Sequence, residues 1–220
     1  KYVNSPETNF FKKGNNLYNL NKARKVSNKN NEVYLVEGYM DVVSLYSNQI
    51  LNCVANLGTA LTSKQIFLLG QFFSEIVICF DGDDSGYKAA VRAAENSIKF
   101  LQPEKQISFL FLPDGEDPDS FVKKKGKQQF LKYSDDNKLQ LHKFIFNHYL
   151  NDSKKTPTEL AMIEKKLTIL GNSIADSIVR KYVLGFFLDQ LSSFLPNKNL
   201  FNSKKYKTKY VKSLEITKNI

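Results

Sequence analysis

The sequence has few cysteines and no long apolar run, and both shortages restrict what this chain can be. Its 220 residues include two cysteines, Cys53 and Cys79, which are too few for a typical zinc site. Each lies inside an apolar run, so we expect reduced, buried side chains and a reducing, cytoplasmic compartment. No apolar run approaches the roughly 18 residues that span a bilayer, so no membrane partner is predicted.

The start of the chain also lacks an initiator methionine and a signal peptide. The first residues, KYVNSPETNF, contain no apolar core of the kind found in export signals. We therefore expect an excised part of a longer protein. A glycine-rich phosphate loop is missing too, because the DGDDSG segment matches neither the P-loop nor the dinucleotide-binding spacing.

Charge is distributed unevenly along the chain, whose net charge is +10. Residues 31–122 sum to −8, whereas residues 1–30, 123–197 and 198–220 each sum to +6. An acidic middle between basic flanks is typical of a protein that binds a polyanion over a metal site. We expect the basic flanks to hold nucleic acid without reading much of its sequence.

The middle of the chain alternates between strand-like and helix-like segments. Four apolar, β-rich runs cover residues 33–37, 51–57, 75–81 and 106–114. The helical segments between them start near Met40, at a cap formed by Thr62 or Ser63, and at a cap formed by Ser85. Continuous apolar strands that are joined by helices predict an open, mainly parallel α/β sheet.

Beyond the fourth strand the pattern becomes helical. Apolar residues recur at helical spacing in residues 138–150, 157–172 and 174–195. Pro157 stands at a helix start, where its missing N–H group costs nothing. The sequence therefore predicts a small all-helical unit after the sheet.

Acidic residues cluster where three of the four predicted strands end. Glu37 closes the first strand ahead of Gly38, and Asp41 falls in the first turn of the next helix, where the helix dipole favours its charge. More acids follow the third and fourth strands, namely Asp81, Asp83, Asp84, Asp114, Glu116, Asp117 and Asp119. Because parallel strands end at the same edge of a sheet, which is its usual ligand-binding edge, we expect these carboxylates to lie close together.

Such a concentration of negative charge needs cations to neutralise it. Mg²⁺ prefers carboxylate, water and phosphate oxygens as ligands, and a pair of such ions supports phosphoryl transfer. Turn formation and helix capping are the ordinary explanation for any single Asp-Gly cluster. Three clusters on one sheet favour a metal site instead.

Four segments resemble the Toprim domain of bacterial DnaG-type DNA primases: VEGYMDVVSLY, ANLGTALTSKQIFLL, ICFDGDDSGYKAAVRA and FLPDGEDPDSFV. Their order and intervals match, and KYVNSPETNFFKKGNNLY is similar to the segment that joins the primases' basic N-terminal subdomain to Toprim. The resemblance implies a Toprim-type open, mainly parallel sheet flanked by helices, followed by a small all-helical subdomain. It divides the chain into the end of the basic subdomain (1–31), Toprim (32–125), a C-terminal helical subdomain (126–197) and a basic linker (198–220).

The resemblance also implies residue roles. Glu37, Asp81 and Asp83 match the catalytic acids that bind Mg²⁺, for which Mn²⁺ can substitute, and Glu37 is alternatively a proton-transfer group. An outer acidic set corresponds to Asp41, Asp117 and Asp119. Contacts with template and nucleotide phosphate correspond to Lys1, Asn4, Lys13, Gly58 and Thr59.

The function implied by the resemblance is synthesis of short RNA primers during replication in the bacterial cytoplasm. The expected partners are single-stranded DNA template, ribonucleoside triphosphates and, through a domain outside this chain, the replicative helicase. The chain departs from the family in having no Cys/His zinc-ribbon ligands and in having Ser85 before Gly86. Neither His142 nor His148 matches a site, and we expect both to lie on a helix surface or in packing contacts.

Two alternatives stay open. A Toprim nuclease or topoisomerase-like enzyme would use a similar acidic cluster to cleave strands, although none of the eleven tyrosines stands out as a nucleophile. A non-catalytic Toprim scaffold that only binds nucleic acid is the other, and the retained acids argue against it.

Overall fold

The protein is described by a computed structural model that covers residues 8, 12–26, 31–57, 61–151 and 153–194. The predicted sites at Lys1, Asn4, Gly58 and Thr59 and the linker at 198–220 lie outside these residues. The strands are β1 Glu32–Val36, β2 Cys53–Ala55, β3 Glu75–Gly82, β4 Gln106–Asp114 and β5 Leu139–Gln140. The helices are α1 Leu20–Ala23, α2 Tyr39–Ser47, α3 Ser63–Phe72, α4 Asp84–Ser97, α5 Pro118–Asn137, α6 Leu141–Asn151, α7 Pro157–Asn172 and α8 Ser177–Ser192. Short 3-10 turns form at Lys13–Asn15 and Ile98–Phe100.

The strands form one sheet in the order β2-β1-β3-β4-β5. Strand β1 runs parallel to β2 and β3, and β3 runs parallel to β4. Only β5 among the described strands is antiparallel, with Ser108 opposite Gln140 and Phe109 opposite Leu139. The prediction of an open, mainly parallel sheet flanked by helices is therefore confirmed.

The short strand β5 corrects the prediction of a helix over residues 138–150. Residues 139 and 140 pair with β4, and α6 starts only at Leu141. The edge of a sheet has unpaired backbone N–H and C=O groups. Here residues 139 and 140 form hydrogen bonds with that edge instead of continuing the helix that their apolar spacing predicts.

Helices cover both faces of the sheet, because alternate residues of each strand point to opposite sides. Leu35 and Ile78 pack with residues of α3, α4 and α6 on one face. On the other face, Tyr34 and Val77 pack with residues of α2 and α5. With both faces covered, the carboxyl edge of the parallel strands is the part of the sheet that can meet a ligand.

The helix starts confirm one predicted cap and correct another. Thr62 caps α3, since its hydroxyl accepts a hydrogen bond from the Gln65 amide at 3.2 Å. Helix α4 is capped by Asp83 rather than Ser85, because it begins at Asp84 and the Asp83 carboxylate accepts the Gly86 amide at 2.7 Å. Asp83 thus has a structural role that the sequence did not suggest.

The C-terminal helices follow the predicted order. Helix α7 has Pro157 in its first turn, as predicted, and α8 covers less than the predicted 174–195, since Asp176 caps it. The predicted domain boundary before residue 126 falls inside α5, where Gly126 has a φ of 75° and interrupts the helix. Among the described residues, no helix is both long and apolar enough to cross a membrane.

Candidate active site

Asp81 lies at an irregularity in the β3–β4 ladder, at the carboxyl edge of the sheet. The register of the two strands shifts between Phe80 and Gly82. A side chain at position 82 would come within 2.1 Å of the Pro113 carbonyl oxygen, so only glycine fits this close approach. Such irregularities re-aim side chains next to active sites, and this one positions the first acid after the apolar part of β3.

The junction between β1 and α2 contributes two further carboxylates. Glu37 follows the last residue of β1, and Asp41 lies in the first turn of α2, as predicted. The Asp41 carboxylate accepts the Gly38 amide at 3.0 Å. The Asp119 backbone amide also donates to Asp41, so Asp41 is fixed in place between α2 and the start of α5.

The start of α5 delivers the third group of acids. Asp117 caps this helix by accepting the Ser120 amide at 2.6 Å. Asp119 forms an ion pair with Lys123 at 2.7 Å. The lysine therefore lowers the pKa of Asp119.

The remaining carboxylates are coupled to one another across the edge. Burial raises the pKa of Glu37, and the charges of Asp81, Asp83 and Asp41 raise it further. The pKa of Asp81 is raised by burial and then by Asp117 and Asp83. For Asp41, burial raises the pKa to about 6, despite the two amides that stabilise its charge. The structure thus brings together acids from all three predicted strand ends.

These acids do not form a ready-made coordination shell. Within the ranges that the structure describes, no three His, Cys, Asp or Glu side chains converge closely enough to hold a metal ion. Asp41, Asp83 and Asp117 each accept a hydrogen bond from a backbone amide near a helix start instead. A compact site that needs no further ligands is therefore not present in the described residues.

The donor chemistry nevertheless fits a hard divalent cation. Asp81 Oδ1 is buried and has no hydrogen-bond partner among the described residues. Glu37 forms no hydrogen bond or ion pair with any residue in the same ranges. Glu37 and Asp81 thus combine carboxylate oxygens that lack a partner with a raised pKa. Such groups suit an ion that keeps several water or phosphate ligands. Glu37 and Asp81 are the first candidates to bind it.

Of the predicted phosphate-contacting residues, the structure describes Lys13. It starts the 3-10 turn that packs against the beginning of α3, where Gly14 accepts a hydrogen bond from the Thr62 hydroxyl at 2.6 Å and Lys13 accepts one from Gln65. Lys13 therefore lies beside the helix that follows the predicted Gly58 and Thr59 turn.

One residue of this edge escaped the sequence-based prediction. Asn56 follows β2 directly, and its Oδ1 atom is buried without a hydrogen-bond partner in the described part of the chain. Its position after a parallel strand was the available signal, but a neutral amide does not stand out as three acidic clusters do.

The cysteines and histidines behave as expected for packing residues. Cys53 and Cys79 are reduced and buried, and burial raises the pKa of both thiols. His142 contacts the Phe186 ring, and His148 Nδ1 lies 3.0 Å from the Tyr87 hydroxyl.

Comparisons with known proteins identify the lineage of this site. Residues 34–122 match the Toprim-like family. The DNA primase of Rickettsia conorii is 40% identical over 192 residues, which are 87% of this chain and 32% of that protein. The chain thus spans about a third of the length of the curated relatives it matches.

Solved structures agree in fold. A DNA primase domain from Pseudomonas aeruginosa matches with a TM-score of 0.79 and 38% identity, over 88% of this chain and 60% of that one. A DnaG primase catalytic domain bound to single-stranded DNA matches with a TM-score of 0.80 and 36% identity, over 86% and 61% of the two chains. This chain contains a Toprim domain and is a homologue of the bacterial DnaG-type DNA primases, which confirms the resemblance found in its sequence.

Proposed function

We propose that this primase homologue is the metal-binding part of a primase RNA-polymerase domain. The protein that carries it synthesises short RNA primers on single-stranded DNA from ribonucleoside triphosphates, during replication in the bacterial cytoplasm. One observation supports this above all: uncompensated, mutually coupled carboxylates at the carboxyl edge of a Toprim sheet. Residues 32–125 are the Toprim domain in this proposal, and residues 126–197 are the helical subdomain.

Glu37, Asp81 and Asp83 hold Mg²⁺ in this proposal, and Asp41, Asp117 and Asp119 form the outer acidic set. When bound, the metal lowers the pKa of the primer's 3′-hydroxyl and neutralises charge on the nucleotide phosphates. Asp83 uses one carboxylate oxygen to cap α4, which leaves its other oxygen for the metal. The sheet and the cap fix the acids before the substrate arrives, so little reorganisation is needed.

As an alternative to binding the metal, Glu37 is suited to proton transfer. Burial and the neighbouring Asp81 raise its pKa, and a raised pKa improves a carboxylate as a proton acceptor near neutral pH. The proton it receives comes from the attacking 3′-hydroxyl, whose oxygen then bonds to the α-phosphorus while pyrophosphate leaves.

Basic segments on both sides of the acidic middle hold the template in this proposal. Lys1, Asn4 and Lys13 contact template or nucleotide phosphates, and the backbone amides of Gly58 and Thr59 do the same. Phosphate contacts of this kind position nucleic acid without specifying sequence. Contact with the replicative helicase lies outside this chain.

Primer synthesis by the full-length protein tests this proposal. The assay supplies a single-stranded DNA template, labelled ribonucleotides and Mg²⁺, and compares wild type with Asp81→Asn and Asp83→Asn. Asparagine at position 83 retains an oxygen that can cap α4, so the fold is expected to survive. Asp189→Asn, an exposed acid on α8, is the matched control.

We expect short RNA products from wild type and Asp189→Asn, and about 10²–10³-fold less product from the two edge variants. Near-wild-type primer yield from Asp81→Asn would remove the basis of the metal assignment. Template cleavage without RNA would mean that the edge serves a Toprim nuclease instead.

A further inference from the structure

Two cavities flank the turn that leads into β4, at the end of the sheet opposite the acidic edge. A cavity of about 210 Å³ is lined by residues of α3, β3 and β4 and by Gln102 of the turn. A second cavity of about 340 Å³ is lined by Pro103 of the same turn, by His142 of α6 and by one face of α8. We call the residues that line these two cavities the turn surface.

Large apolar side chains of the turn surface are exposed to solvent. Phe67 on α3 is 59% exposed, and Ile178 and Tyr182 on α8 are 59% and 69% exposed. Ile178 and Tyr182 are four positions apart, so they share one face of their helix. Exposed apolar side chains that are grouped around cavities mark interaction sites, whereas isolated ones are ordinary.

Lysines border the turn surface on both sides. Lys99 Nζ lies 5.3 Å from the centre of the Phe100 ring, which lines the smaller cavity. Lys181 Nζ lies 5.7 Å from the centre of the Tyr182 ring, which lines the larger one. Neither lysine forms an ion pair with any residue that the structure describes. Both ammonium groups are therefore available to carboxylates of a partner.

The floor of the larger cavity is uncharged. Its lining is mainly apolar, and His142 packs edge-on against the Phe186 ring. Burial lowers the pKa of His142, and the nearby charge of Lys143 lowers it further, which favours the neutral imidazole. The turn surface thus combines an apolar floor with a cationic border.

Charge distinguishes between the possible occupants of the turn surface. Residues 198–220 of this chain sum to +6, and a second copy of the chain would bring the same lysines, so like charges oppose both. Nucleic acid would meet the lysines with its phosphates, but the larger cavity has few polar groups to recognise base edges. An acidic peptide with large apolar side chains fits both the cavities and the lysines.

We propose that the turn surface is a docking site for an acidic peptide segment of another protein. Apolar side chains of the segment fill the two cavities, and its carboxylates pair with Lys99 and Lys181. Because the surface lies at the end of the sheet away from the coupled acids, the docked segment leaves the candidate active site open. The proposal is independent of the metal assignment at the other end.

Selection from a random peptide library displayed on phage, with the full-length protein as bait, tests the proposal. The most enriched peptide is then labelled, and its affinity is measured by fluorescence anisotropy. Tyr182→Ala removes an anchor contact, with Met162→Ala as control, since Met162 is 68% exposed and lines neither cavity. Lys181→Glu reverses a border charge, with Lys132→Glu on α5 as control, because both lysines are exposed.

We expect the enriched peptides to carry aspartate or glutamate beside large apolar residues. Tyr182→Ala and Lys181→Glu should each weaken binding of the labelled peptide at least about tenfold, as removal of an interface anchor or of a charge partner does. Met162→Ala and Lys132→Glu should bind it as wild type does. All four positions are exposed, and circular dichroism verifies that each variant is folded.

Three results would overturn the proposal. One is a selection that yields no acidic peptide whose binding depends on Tyr182 and Lys181. Another is tighter binding of a labelled single-stranded DNA oligonucleotide than of any selected peptide, with loss of that binding in both variants, which would make the turn surface a nucleic-acid site. The third is a dimer in sedimentation velocity that Tyr182→Ala dissociates, because a second copy would then be the occupant.

Discussion

The two ends of the central sheet carry the same kind of residue in opposite electrostatic settings. At the amino end, Glu32 and Glu75 start neighbouring parallel strands and face each other across the ladder. Lys138 Nζ lies 2.9 Å from Glu32 and 3.0 Å from Glu75, and forms an ion pair with each. At the carboxyl end, the negative charges of Glu37 and Asp81 repel each other, and no described cation pairs with either side chain.

The difference separates acids that pair with a lysine of the same chain from acids that have no described partner of opposite charge. The amino end is internally satisfied: burial opposes the charge of Lys138, yet its two carboxylate partners outweigh that penalty and raise its pKa. The carboxyl end is internally repulsive, since burial and like charges raise the pKa values of Glu37, Asp41 and Asp81. Carboxylates with pKa values perturbed in this way are typical of functional sites.

Exchanging a charge for an amide at each end gives the sharpest contrast in activity. Asp81→Asn should reduce primer synthesis by about 10²–10³-fold, because metal-mediated charge stabilisation is worth several kcal/mol. Glu75→Gln should leave the rate per folded molecule unchanged, since it acts at the opposite end. Initial rates, normalised to the folded fraction from circular dichroism, check both. Comparable losses in the two variants would erase the distinction between the ends.

Removing the cation at the amino end should affect stability instead. Lys138→Met removes the cation that pairs with Glu32 and Glu75, and should lower the free energy of unfolding by about 2–3 kcal/mol. Fully buried pairs lose roughly 3–5 kcal/mol, and the Lys138 side chain is still 19% exposed. Urea denaturation measures the change, with exposed Lys132→Met as control. A loss below about 0.5 kcal/mol, typical of surface substitutions, would show that the ion pairs of Lys138 do not stabilise this end of the sheet.

Gly86→Ala tests whether the close packing of α4 against β3 positions the acids at the carboxyl end of the sheet. An added Cβ would lie 2.5 Å from the Asp81 carbonyl oxygen, so β3 must shift where it carries the candidate metal ligand. Overpacking of this kind costs about 1–3 kcal/mol, and we expect Mn²⁺ affinity to fall as well. Gly70→Ala on α3 is the matched control, because nothing lies within 4 Å of its added Cβ. Undiminished Mn²⁺ affinity in Gly86→Ala would show that the strand end tolerates displacement.

The smallest expected effect is a gain in stability. Asp41→Asn should stabilise the metal-free protein by about 1 kcal/mol near neutral pH, a value reduced for partial solvent contact. Burial raises the pKa of Asp41 from 3.8 to about 6, so the folded protein binds this proton more tightly than the unfolded chain. The penalty is therefore absent below the unfolded pKa and develops as the pH rises through about 6.

Urea unfolding in EDTA at about pH 4.5 and about pH 7.5 checks the sign. The advantage of Asp41→Asn over wild type should be larger at the higher pH. Asp189→Asn should show no such difference. An advantage that is independent of pH would mean that the Asp41 charge is not the cause.

The sheet and its acidic edge were predictable from sequence because the same signals repeat along the chain. Continuous apolar runs predicted parallel strands. Since parallel strands end at the same edge of a sheet, the acid that follows each run had to lie at that edge. Strand β5 was not predictable, since Leu139 and Gln140 belong to a helical pattern and pair with β4 through tertiary structure. The Asp83 cap was missed for a related reason, because aspartate suits both a metal site and a helix start.

The finer properties of the site depend on three-dimensional neighbours. The i,i+4 spacing of Asp119 and Lys123 was a readable signal for their ion pair, but spacing could not reveal which of the other acids are coupled by burial at the sheet edge. It also could not reveal that Asn56 and Arg92, 36 positions apart in the printed sequence, line one cavity. Burial and partner choice are set by packing between helices and sheet, which local pattern does not encode.

The most direct test of the contrast between the two ends is the effect of Mg²⁺ on thermal stability. A ligand that binds only the folded state raises the melting temperature. We expect Mg²⁺ to raise the melting temperature of wild type and of Glu75→Gln, but not that of Asp81→Asn. An equal rise in all three proteins, or none in wild type, would contradict the claim that the carboxyl end of this sheet is built for a cation.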